Sequence, residues 1–88
     1  MEITLEAARV NAGFNQQEAG NLFGVHYQTI AKWEADNTRM PYEMIEKIPL
    51  IYGIPKDNIF FGIKNEFIRL KREQLKKIRK EGEINATK

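Results

Sequence analysis

The chain contains no cysteine, which removes disulfides and thiolate metal centres together. Its single histidine cannot furnish a multi-histidine metal site. No apolar run approaches the ~20 residues that a membrane-spanning helix needs. The N-terminus opens with Glu2 and amphipathic spacing, so no signal peptide is expected and cytoplasmic residence is the default. No nucleophile–base pair, metal cluster or phosphate-cradling glycine loop stands out, so neither an enzyme nor a cofactor is expected. Internal repeats and low-complexity tracts are also missing.

What remains is an 88-residue chain with 42% hydrophobic and 30% charged residues, suited to one soluble globular unit with a small core. The net charge of +2 hides an uneven distribution. Up to Phe61 there are five basic and eight acidic residues, net −3. From Gly62 onward there are nine basic and four acidic residues, net +5. The chain is therefore divided into a head, residues 1–62, and a basic helical extension, residues 63–88.

In the head, Leu5, Ala8 and Ala12 mark a first helix from about Thr4 to Ala12, opened by Thr4 or Ile3 and closed by Gly13. Phe14 is placed in the core. Asn15, with Glu18 three residues on, has the capping-box pattern for a second helix. Gly24 can take the positive φ of a tight turn. A third helix is expected from Tyr27 to about Ala35, with Ile30 and Trp33 on its buried face. The polar loop 35–40 precedes Pro41, which suits the first turn of a fourth helix. Met44, Ile45, Ile48 and Ile51 supply that helix's apolar face, Pro49 predicts a kink or early break, and Gly53 closes it. A fifth helix is expected from Pro55 through Phe60.

The stretch Gln16–Glu34 resembles the helix-turn-helix of the phage repressor and Cro (XRE) family of bacterial regulators. Gln16 matches the family's glutamine at the first motif position, Gly24 its turn glycine and Val25 the buried residue after it. Ile30 and Trp33 match the core positions of the recognition helix, and Glu34 the acid that follows. Gly20 stands where the family usually has alanine, His26 where it usually has serine or threonine, and Asp36 where it has glycine. The resemblance covers roughly Thr4 to Gly62. It implies an all-α, five-helix, lambda-repressor-like DNA-binding domain, to which this chain adds a C-terminal basic amphipathic helix.

From that resemblance, Tyr27 and Gln28 occupy the positions most used for base contacts. Gln28 is the expected main reader, because a glutamine amide complements adenine N6 and N7 in the major groove. Thr29 and Lys32 support it. Tyr27 is open between DNA contact and packing on its own domain, and His26 between DNA contact and local capping. Gln16, and less clearly Gln17, are expected at phosphate by the second helix's N-terminus. Asn37, Thr38 and Arg39 are suited to phosphate oxygens, with Tyr42 near the minor groove, or else the loop is an ordinary connector. Arg9 is either a solvated cation or the partner of Glu34, as the family commonly has it.

The tail has strong helix formers from Lys64 to Glu81 and is expected to fray from Gly82. Ile63, Phe67, Ile68, Leu70, Leu75 and Ile78 fall on one half of the helix, and Arg69, Arg72, Lys76, Arg79 and Lys80 on the other. Dimerisation through the apolar half, loose solvation and membrane-surface binding are all compatible with that pattern. The leading functional expectation is a transcriptional regulator bound as a homodimer to a palindromic double-stranded DNA operator. The alternative is a protein-interaction module on the same fold, with a toxin or antirepressor as partner.

Overall fold

Thr4 opens the first helix, α1 (Leu5–Asn11), its hydroxyl accepting the Ala7 N–H at 3.0 Å. The computed structural model describes residues 2–86, with side chains through Arg79. Gly13, at φ 87°, turns the chain toward α2 (Gln16–Phe23). Both halves of the expected capping box form there. The Asn15 side chain accepts the Glu18 N–H at 2.8 Å, and Glu18 accepts the Asn15 N–H at 2.9 Å.

Gly24 caps α2 in the left-handed conformation, at φ 77°. The turn delivers α3 (Tyr27–Ala35) so closely that a Cβ on Gly20 would stand 2.7 Å from the Val25 carbonyl oxygen. This accounts for glycine at a position where the resemblance has alanine.

The expected fourth helix is two: α4 (Tyr42–Ile45) and α5 (Ile48–Tyr52). Pro49 lies in the first turn of α5, where a missing N–H costs no helical bond, so the break precedes the proline. Of the apolar face expected there, only Ile48 is fully buried.

The expected fifth helix is a correction. Residues 56–58 make a single 3-10 turn, and the chain then extends. Ile59 bridges Ile3 in parallel, with Ile3 N–H donating to the Asn58 carbonyl at 2.7 Å and Phe60 N–H to the Ile3 carbonyl at 2.9 Å. The N-terminal segment therefore takes the backbone groups that a helix would have used.

The core comprises Leu5, Ala8, Ala19, Phe23, Ile30, Met40, Ile48, Tyr52 and Ile59. Phe23 sits at its centre, edge-to-face with Trp33 (6.3 Å) and Tyr52 (5.3 Å). The helix α6 (Lys64–Ala86) projects from this head and makes the molecule 54 Å long. It continues through Gly82, where fraying was expected; residues 87–88 lie outside the described range.

The root of α6 is fixed to the head at four points. Ile63 bridges Asp36, and Gly62 N–H donates to the Asn37 side-chain oxygen at 2.8 Å. Lys64 pairs with Glu6 at 2.5 Å, and Phe67 packs on Phe60 at 4.7 Å between ring centres. Beyond this root Leu70, Leu75 and Ile78 are 46–64% exposed.

Candidate nucleic-acid interface

On α3, Ile30 and Glu34 face inward and are buried, while Tyr27, Gln28 and Lys32 are exposed and Thr29 is half-buried. Glu34 is the polar anchor. Its carboxylate accepts Arg9 Nε–H at 2.6 Å, a second Arg9 N–H at 3.3 Å and the Gln16 amide N–H at 3.0 Å. Arg9 is 8% and Glu34 6% exposed, and Arg9 also donates to the Phe14 carbonyl at 2.8 Å. The guanidinium satisfies the carboxylate through two bonds in one plane, a geometry lysine cannot offer. The same hydrogen bonding holds Arg9 above its ordinary pKa. Of the two readings open for Arg9, the buried pair is the one the fold contains. Nearby, burial pushes the Tyr52 phenol up to about 12, and its buried hydroxyl has no hydrogen-bond partner among the described residues.

His26 occupies the cap of α3. Its Nδ1 accepts the Gln28 N–H at 3.2 Å, so the neutral ring carries its proton on Nε2. The ring packs on Tyr27 at 4.5 Å between centres and steadies that phenol at the exposed end of the helix. Histidine thus replaces the usual hydroxyl without leaving the helix uncapped.

Several expected DNA contacts are committed elsewhere. Asn37 is one of them. It is 4% exposed, donates to the Phe60 carbonyl at 3.1 Å and accepts from Gly62 N–H, so both ends of its amide serve the root of α6. Thr38 is exposed, but its N–H (3.0 Å) and hydroxyl (2.6 Å) both donate to Asp36. Those bonds lower the Asp36 carboxyl below its ordinary pKa.

The Gln16 amide N–H points to Glu34, which leaves the backbone N–H groups at the start of α2 as donors on that side. Tyr42 is exposed, but Glu46 hydrogen-bonds its phenol, raising it, and the Lys56 ammonium lies 5.4 Å from its ring centre. Gln17, Tyr27, Gln28, Lys32 and Arg39 remain presented to solvent.

A feature the sequence did not announce lies beside these residues. Lys64 and Asn65 of α6 share an open cleft of about 210 Å³ with Gln16, Ala31 and Ala35, so the root of the tail adjoins both α2 and α3. Only the high density of basic residues after Gly62 hinted that the tail mattered to this face.

Among the described residues no helix is long and apolar enough to cross a membrane, and no group of three metal-ligating side chains comes together. A search of curated proteins finds no significant match. A helix-turn-helix family model matches residues 5–59, well over half of the chain, across α1 to Ile59. With the capped turn and the outward face of α3, that match places the chain in the XRE helix-turn-helix family of DNA-binding regulators, with its lambda-repressor-like five-helix fold.

Proposed function

We propose that the protein is a sequence-specific transcriptional regulator of the phage repressor/Cro type, binding a palindromic operator as a homodimer with α3 in the major groove. The observation that carries this is the division of α3. Ile30 and the Glu34 network hold one side rigidly, and Tyr27, Gln28 and Lys32 project from the other. Gln28 is the base reader, and its backbone position is set by the His26 cap. Tyr27 and Lys32 flank it. The α2 N-terminus, with Gln17, and Arg39 meet phosphate oxygens and set the register.

Residues 1–62 form the DNA-binding unit, and the exposed apolar seam of α6, Leu70, Leu75 and Ile78, pairs two copies. The half-sites then lie about 34 Å apart. A DNA regulator of this kind works in the cytoplasm.

The test begins with sites selected from random duplex DNA. Gln28→Ala is expected to lose ~1–3 kcal/mol on the selected operator and to relax preference at one base pair per half-site. Retention of the wild-type ratio between operator and scrambled duplex would show that α3 does not read sequence. A second reading, a protein-interaction module with a toxin-like partner, draws on the net −3 charge of the head. It predicts DNA binding with little salt dependence or none, whereas the operator reading predicts a steep fall as salt rises.

A further inference from the structure

We propose that the face of α6 turned away from Leu70 and Ile78 is a second DNA-binding surface. There Arg69, Arg72, Lys76 and Arg79 form a row that holds the phosphate backbone of the duplex read by α3. The proposal rests on the DNA-binding reading above.

At 100° per residue these four cations fall within an arc of about 80°, and they span ~15 Å of helix. That length matches about four base-pair steps along one strand of a duplex. All four side chains are exposed. Among the described residues none has a carboxylate within ion-pairing distance; the ion pairs present use Arg9, Lys56 and Lys64. Glu66 and Glu73 lie to one side of the arc, whereas Lys80 and Glu83, which follow on it, are outside the described side chains.

Two further observations select duplex DNA as the occupant. The first is charge. The head carries net −3, and Arg9, Lys56 and Lys64 are committed to carboxylates. Of the head's other cations Lys47 is directed at the Phe23 carbonyl, and Lys32 and Arg39 supply little of the phosphate term that dominates protein–DNA affinity. The tail, at net +5, holds the missing cations.

The second is position. The root of α6 adjoins the two elements assigned to phosphate. Ile63 bridges Asp36 at the start of the loop that carries Arg39, and Lys64 and Asn65 share a cleft with Gln16 at the start of α2. The helix thus leaves the head from the flank that faces the DNA backbone in this reading. Leu70 and Ile78 point away from the row, so pairing of two copies through them leaves its outer face free, while Leu75 borders it in a groove with Arg72, Lys76 and Arg79.

The experiment measures binding of the full chain to the selected operator and to a mixed-sequence duplex across a salt series. The variants are R69Q/R72Q/K76Q/R79Q and the charge-keeping R69K/R72K/R79K, with circular dichroism confirming that each stays helical. The neutralised variant is expected to weaken on both duplexes alike and to flatten the slope of log affinity against log salt by about 3–4 for each bound chain. The charge-keeping variant is expected to keep the wild-type slope.

An unchanged slope in the neutralised variant overturns the proposal. With that slope unchanged, loss of binding to phosphatidylserine vesicles would reassign the row to a membrane surface. A weakened dimer in sedimentation would instead reassign it to the acidic head of a second copy. Gln28→Ala, run in parallel, reads the ratio between the two duplexes and not the slope. Failure of base reading by α3 is therefore distinguishable from failure of the row.

Discussion

The side chains that decide this fold are few, and two of them invite direct measurement. Arg9→Met or Glu34→Leu alone strands a buried charge and is expected to cost ~3–5 kcal/mol in urea unfolding. The double variant is expected to recover part of that loss, giving a coupling energy well above zero in a double-mutant cycle. Zero coupling would mean that the 2.6 Å contact contributes nothing. Tyr52 behaves differently. Its hydroxyl is buried without a partner among the described residues, so Tyr52→Phe is expected to be neutral or stabilising by up to ~1 kcal/mol. The phenol's pKa is raised by folding. The stability linked to its neutral form is complete below pH 10 and is lost progressively as pH climbs toward 12. Tyr52→Phe is expected to flatten that alkaline decline, which thermal melts between pH 9 and about 12 would record.

At the scale of elements, what could be read from the sequence is what forms through neighbours. The Asn15–Glu18 box, the Gly24 turn and the limits of α3 depend on residues three or four apart, and all stand where the sequence placed them. His26 is the same kind of feature. His26→Ala is expected to cost ~0.5–2 kcal/mol, and His26→Ser to restore stability to at least the wild-type level, because either His or Ser presents an acceptor to Gln28 N–H. Equal stability of Ala and Ser variants would sink the cap. What the sequence concealed depends on distant partners. Asn37 looked like a phosphate ligand because Phe60 and Gly62, which take both ends of its amide, are 23 and 25 positions away. Gln16 is drawn inward by Glu34, 18 positions on. Pro55–Phe60 carries a helix-start signal, yet pairing with Ile3 outcompetes it. The Arg9–Glu34 pair was legible only through family resemblance, since nothing local in the sequence connects the two.

In the whole molecule, a small closed head carries one long lever, and the joint between them is partly electrostatic. The Lys64 hydrogen bond lowers the Glu6 carboxyl below its ordinary value of 4.5. Its stabilising contribution is therefore present above that value and is lost as pH falls through the lowered one. Hydrogen exchange across the first turns of α6 is expected to accelerate in that acid window. Glu6→Gln should remove that dependence on pH and accelerate exchange at neutral pH. An acid response identical in the variant would clear Glu6 of this role. The pair is half-exposed, so salt should shrink the effect. The pairing of Ile3 with residues 58–60 has a different consequence, one that concerns time. A chain made from its N-terminus cannot close the head when the helix-turn-helix emerges, because the strand-like partner of residue 3 has not yet been synthesised. The head can shut only once Phe60 is free, and Lys64 can reach Glu6 only after that. Vectorial synthesis therefore leaves Ile3 unpaired for most of the head's translation, and its backbone pairing marks the moment when the domain is complete.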